Sequence, residues 1–212
     1  MLLFRNSLPD LMSNIRFIHA IPSAPNVDIY ANGSLLYSNL AFGQVTEYMY
    51  LAPGKYNIQL YKTSTYDDPI ISMSIELLPN NMITINITYQ NKEIKFFTVN
   101  DTITSSNPLL SFVRFINLSP NSPLLSLMLP EGTVLFSESA YLETNEYYPI
   151  SPGIYNFIVS SSDNSFSKFI SNIDLQKGVF ITIYIVGLMN DSPQVGYILI
   201  KDGVDKKMAI KK

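Results

Sequence analysis

The chain has 212 residues, 47% of them hydrophobic and 15% charged, with 14 basic and 17 acidic side chains and a net charge of −3. It is too apolar for a disordered protein, too sparsely charged for a coiled coil, and lacks the basic excess that a nucleic-acid surface needs. Cys is absent and His occurs once, which excludes disulfides, zinc–thiolate and iron–sulfur sites, thiol nucleophiles and multi-His metal centres.

Residues 1–14 read as an N-terminal arm. Met1-Leu2-Leu3-Phe4 is apolar, but Arg5, Asn6 and Pro9-Asp10 interrupt it before a secretory apolar core of roughly 7–15 residues can form. No run reaches the ~18 apolar residues of a membrane-spanning helix, since Thr182 and Gly187 break the longest. The expected location is the cytoplasm, or a bacterial spore, whose surface components are made in the mother cell without a signal.

The chain then repeats itself with a period of about 98 residues, a domain-sized unit rather than a solenoid unit. Ile15-Arg16-Phe17-Ile18 returns as Val113-Arg114-Phe115-Ile116, and Glu47-Tyr48 as Glu146-Tyr147. Pro53-Gly54-x-Tyr56-Asn57 returns as Pro152-Gly153-x-Tyr155-Asn156, and Ile83-Thr84-Ile85 as Ile181-Thr182-Ile183. Two homologous domains follow, 15–101 and 112–203. The polar, Pro-ended stretch from Asp101 to Pro108 marks a linker, placed at 102–111, and a basic tail closes the chain at 204–212.

Within each repeat the hydrophobic period is two, as in Tyr56-Asn57-Ile58-Gln59-Leu60 and Ile83-Thr84-Ile85-Asn86-Ile87. That alternation, with β-branched and aromatic residues dominant, is the pattern of half-buried strands. Asn32-Gly33, Pro53-Gly54, Pro79-Asn80-Asn81, Pro152-Gly153 and Lys177-Gly178 punctuate the runs as turns. The spacing predicts an all-β protein of two tandem immunoglobulin-like or transthyretin-like β-sandwiches with seven or eight strands each. In the second repeat, 124–129 and 179–186 are apolar on both faces, so each needs a second cover. Leu125, Leu127, Met128, Phe180 and Tyr184 are therefore candidate interface residues. The first domain, the N-terminal arm or another subunit are the candidate covers.

The strings Ile15-Arg16-Phe17-Ile18-His19-Ala20-x-Pro22-x-Ala24-Pro25-x-Val27-Asp28-Ile29-Tyr30, Asn39-Leu40-Ala41-Phe42-Gly43, Thr46-Glu47-Tyr48 and Leu51-x-Pro53-Gly54-x-Tyr56 resemble the signature of the DUF4397 family. The resemblance implies bacterial β-sandwich repeats, often in tandem on surface proteins, and no assigned reaction. The second repeat departs from the pattern: Asn117 stands for the His, Ser126 for the Asp and Leu142 for the Gly.

No catalytic constellation accompanies this. His19 has no G-x-S-x-G elbow, and no phosphate loop or calcium loop occurs around Asp10, Asp28, Asp67, Asp68 or Glu47. Arg16, Arg114, Glu47, Glu146, Tyr48, Tyr147, Pro53, Gly54, Pro152 and Gly153 recur at equivalent places and read as structural. The expectation is a non-enzymatic structural or interaction protein without metal or cofactor. Its partners would be itself or other surface or coat proteins, not nucleic acid. A carbohydrate- or small-ligand-binding module, with exposed Tyr61 or Tyr66 as stacking platforms, is the alternative.

Overall fold

A computed structural model describes residues 11–103 and 107–203. The arm up to Asp10, the middle of the linker (104–106) and the basic tail lie outside the described residues. Among the described residues there are sixteen strands and no helix. In the first sandwich, β1 (Ser13–His19), β4 (Met49–Leu51), β7 (Met82–Gln90) and β8 (Glu93–Asn100) form one sheet in the order β4-β1-β7-β8. Its other sheet is β3-β2-β5-β6, from β2 (Val27–Ala31), β3 (Ser34–Leu40), β5 (Gly54–Lys62) and β6 (Ile71–Leu77).

The second sandwich repeats this order. Strands β9 (Ser111–Asn117), β12 (Tyr148–Ile150), β15 (Phe180–Val186) and β16 (Gly196–Asp202) make the sheet β12-β9-β15-β16. Strands β10 (Leu125–Met128), β11 (Val134–Ser139), β13 (Gly153–Ser161) and β14 (Ser167–Leu175) make β11-β10-β13-β14. In both halves the first strand pairs parallel with the seventh: Phe17 lies opposite Ile85, and Phe115 opposite Ile183.

Alternation explains the layers. In β1, Ile15 and Phe17 enter the first core with Ile29, Ile58, Leu60, Ile83 and Ile85. In β15, Ile181, Ile183 and Ile185 enter the second core with Phe115, Leu125, Leu127, Phe157 and Val159. The opposite faces of these two sheets meet each other. Ile18, Ala20 and Val99 of the first domain cluster with Ile116, Leu118, Tyr184 and Val186 of the second, and Phe97, Ile198 and Ile200 pack around them. The molecule is therefore four sheets deep, with the β1 and β9 sheets inside and the β2 and β10 sheets outside. As a central strand of an inner sheet, β15 is covered on both faces and buried at all seven positions, while the edge strand β16 keeps exposed ones.

The first domain is the cover that β15 requires. Strand β10 behaves differently, because it lies in an outer sheet. Leu125 and Leu127 point into the second domain's own core, while Met128 is half-buried on the outward face.

Candidate functional site: a buried charge cluster between the domains

Arg16 lies between Ile15 and Phe17 on β1, so alternation turns it away from the first core and towards the second domain. Arg114 on β9 is its counterpart. Each guanidinium lies along the neighbouring strand of its own domain: Arg16 Nε donates to Thr84 Oγ1 (2.7 Å) and Arg114 Nε to Thr182 Oγ1 (2.9 Å). Each also stacks on its own domain's tyrosine, with the guanidinium carbon 4.3 Å from the Tyr48 ring centre and 4.4 Å from that of Tyr147.

The other ends of the arginines cross the interface. Arg16 Nη2 donates to Asp202, and its Nη1 to the Lys201 carbonyl at 3.1 Å. Reciprocally, Arg114 Nη2 donates to Asp101, and its Nη1 to the Asn100 carbonyl at 2.8 Å. Longer contacts close the quartet, at 3.4 Å from Arg16 to Asp101 and 3.7 Å from Arg114 to Asp202. The carboxylates are fixed from their own side as well. Tyr48 Oη and Thr84 Oγ1 donate to Asp101, and Tyr147 Oη and Thr182 Oγ1 to Asp202. Every member has a counterpart in the other domain, so the site has approximate two-fold symmetry within one chain.

Two cations and two anions leave the cluster neutral, and the two arginines and two aspartates are almost wholly buried. Such a quartet resists the loss of any one member more than it adds net stability, because the remaining charge stays desolvated. Burial pushes Tyr48, Tyr147 and Tyr184 well above the ordinary phenol range, with the nearby aspartates adding to the shift. Burial also raises the Asp202 carboxyl, helped by the charge of Asp101. Burial opposes both guanidinium charges, yet both pKa values end above the ordinary value. The gain comes at Arg16 from Tyr48 and then Asp101, and at Arg114 from Asp101 and then Tyr147. All three phenols stay protonated; Tyr48 and Tyr147 donate to the aspartates, while the buried Tyr184 hydroxyl has no hydrogen-bond partner among the described residues. The arrangement can dock two sheets face to face; it presents no nucleophile to solvent.

The sequence matches the model of DUF4397, described as a domain of unknown function, over residues 13–128. The chain belongs to the DUF4397 family. The matched span covers the first sandwich and runs on through β10. No curated protein matches the chain.

In this DUF4397 chain, Glu47 and Glu146, the acids read beside the repeated arginines, are exposed; Asp101 and Asp202 are the true partners. Those two aspartates, with Thr84 and Thr182, were not singled out by sequence. A signal existed: Asn100-Asp101 and Lys201-Asp202 close equivalent alternating runs, and each Thr interrupts an Ile-x-Ile triplet. Tyr184 lies at the same interface, while Phe180 stacks on Phe112 at 4.3 Å and meets Tyr147 edge-on. The Pro-Gly corners are built alike: Tyr56 Oη donates to the Ala52 carbonyl and Tyr155 Oη to that of Ser151, both at 2.9 Å. Pro53-Gly54 and Pro152-Gly153 lie between each carbonyl and its tyrosine. At Gly54, φ is +149°, in the region that favours glycine.

His19 is fully buried at a strand end, with Nε2 3.1 Å from the Pro25 carbonyl and Nδ1 accepting from the Ile21 amide. Burial lowers its pKa. Asn117 does the same task in the second domain, its Oδ1 accepting from the Ser119 amide at 3.0 Å. Asp28 ties down the loop after β5 by accepting from Thr63 Oγ1 and the Ser64 amide, and it also accepts from the Asn39 amide. Asp10 lies outside the described residues. Among the described residues no three His, Asp or Glu side chains gather in a metal-binding group. Tyr61, expected to be exposed, is buried: Tyr30, Tyr61 and Tyr66 pack on one another with ring centres 4.6–5.2 Å apart, and of the two expected platforms Tyr66 alone is exposed.

Proposed function

We propose that this protein is a non-enzymatic structural or interaction module, a self-assembling component of a bacterial surface or spore layer. One observation carries the reading. The arginines that recur in both repeats are bonded across the interface to the other domain's aspartate, each aspartate is held from its own side by a tyrosine hydroxyl, and their function is to hold two sandwiches as a single four-layer block. A block whose chemistry faces inward offers shape and surface rather than reactivity. Antibody labelling of thin sections from the source cells and spores tests the assignment. Label along an outer layer, retained after salt washing, is the expected result. Label dispersed through the cytoplasm overturns it.

A second reading, small-ligand binding, is favoured by one cleft of about 280 Å³ in the second domain. It lies between the β13–β14 hairpin and the 187–195 loop, lined by Phe166, Lys168, Met189, Asn190 and Gln194 among others. Lys168 stands opposite Val159, as Ile71 stands opposite Leu60 in the first repeat (Leu60↔Ile71), so a cation replaces an apolar side chain beside the cleft. A glycan and organic-acid panel read by calorimetry separates the readings: saturable binding abolished by Lys168→Ala favours the second.

A further inference from the structure

The outward face of the β10 sheet carries a continuous apolar row. Val134 of β11 pairs with Met128 of β10, Met128 with Ile158 of β13, and Ile158 with Phe169 of β14. The row thus crosses all four strands. Ile154 lies further along β13 on the same face, and Leu124 just before β10. Ile154 is 73% exposed, Phe169 56%, Val134 49% and Leu124 40%, with Met128 and Ile158 half-buried. The neighbouring row is Ser126, Ser160 and Ser167, which brings no charge.

The first repeat shows that the fold does not demand this. Its equivalent row is Leu35, Tyr30, Gln59 and Ser72, apolar at one end and polar at the other. The Tyr66 ring lies 4.9 Å from Tyr30 and covers part of it.

We propose that this outer face of the second sandwich is a self-association surface that takes the same face of a second copy of the chain. The proposal rests on the structural reading above and names its partner. The exposures leave about 450 Å² of apolar surface per copy, within the range of ~300–600 Å² that a monomer's largest, often functional, patch shows. A two-fold pair would bury about 900 Å² of it before the serine and asparagine rim is counted, close to the ~1,000 Å² at which specific interfaces begin. The two rows themselves hold no charge, and the exposed acids on this face, Asp174 opposite Ile154 and Glu138 beside Ser126, stand at their margins. An isologous pair therefore meets on neutral rows with its carboxylates at the rim and needs no complementary second surface. A charged partner would find nothing in these rows to pair with. Face-to-face packing of two sheets is already how the inner sheets of this molecule meet.

Sedimentation velocity on the full chain from 1 to 100 µM tests it. A dimer is expected, with Phe169→Lys raising its Kd at least tenfold and Leu35→Lys, on the equivalent row of the first domain, leaving it unchanged. Both positions are exposed, so unchanged melting confirms that the fold survives. The chain has no cysteine, so Ile158→Cys places a single thiol mid-row. A short bismaleimide should join two copies of Ile158→Cys but not of Gln59→Cys. A monomer at 100 µM, a dimer indifferent to Phe169→Lys, or one lost equally with Leu35→Lys overturns the proposal. Outer-layer labelling without a dimer leaves the structural reading standing and removes only this partner.

Discussion

Tyr30, Gln59 and Ser72 in one domain and Met128, Ile158 and Phe169 in the other occupy the same places on equivalent outer sheets, yet share no residue type. On the inner sheets the reverse holds. Arg16 and Arg114, Thr84 and Thr182, Tyr48 and Tyr147, Asp101 and Asp202 repeat residue for residue, and each Arg–Thr pair spans the same 68 residues. The difference follows from what each surface must satisfy. A buried guanidinium needs a carboxylate, a hydroxyl and a carbonyl in fixed directions, so one changed partner strands the others. An outward position needs only to tolerate water, and tolerates many side chains. Within one chain, the interface is uniform where it is charged and buried, and the outer faces are free to differ.

Removing a charge from the cluster should break the molecule hardest. Arg114→Leu leaves Asp101 and Asp202 desolvated with one cation between them, at a cost of about 3–5 kcal/mol in urea unfolding. Arg16→Leu should cost nearly the same. A gap beyond about 1 kcal/mol between the two would show that the two-fold symmetry of the geometry is not a symmetry of energy.

The same contrast explains how much of this was legible in the sequence. The sandwiches were, because Ile83-Thr84-Ile85 and its echo Ile181-Thr182-Ile183 alternate with a wet-looking Thr. That Thr proved to face another sheet, not water. Alternation reports two unlike faces; it does not say whether the polar face meets solvent or a buried cation. The partner acids were harder to see. Asp101 opens a polar stretch that reads as linker, and only the reciprocal crossing of the chain gives it and Asp202 their roles. Glu47 and Glu146 recur as faithfully as the aspartates, yet both are exposed, so repetition alone did not separate them.

His19 and Asn117 sharpen the comparison through pH. Burial lowers the imidazole pKa from its ordinary 6.5, so below that value the unfolded chain binds a proton that the folded chain refuses. Stability is therefore full above pH 6.5 and falls as the pH drops below it. Asparagine cannot titrate. His19→Asn should remove that part of the slope by copying the second domain's Asn117, whose Oδ1 serves the backbone amide as His19 Nδ1 does. Chemical denaturation at pH 5 and 7.5 checks this, and an unchanged slope in the variant would assign the acid sensitivity to other groups.

On the outer faces the effects on folding should be small. Phe169→Lys removes a side chain more than half exposed and is expected to move monomer stability by no more than about 0.5 kcal/mol. A larger loss in thermal melts at submicromolar concentration would mean that the apolar row supports the sandwich itself.

The smallest effect lies in the hairpin turns, where the two domains anchor the chain differently. After β5 the loop is held by Asp28, reaching across from β2. After β13 the turn is held locally by Asp163, which accepts from the Ser161 hydroxyl at 2.7 Å, the Ser165 hydroxyl at 2.6 Å and the Ser165 amide at 2.9 Å. Those three donors, led by the Ser161 hydroxyl, favour the charged carboxylate and bring its pKa from the ordinary 3.8 down to about 2. A depressed folded-state value means the contribution is present above pH 3.8 and is lost as pH falls towards 2. The Asp163 carboxyl resonance should accordingly titrate near 2 by NMR. Asp163→Asn should melt below the wild type at pH 5, with the difference closing by pH 2. The carboxylate is exposed, so the gap at pH 5 will be slight. Titration at the ordinary 3.8 would show that the serines do not hold this turn, and that the second domain leaves it untied where the first fastens its own loop from a neighbouring strand.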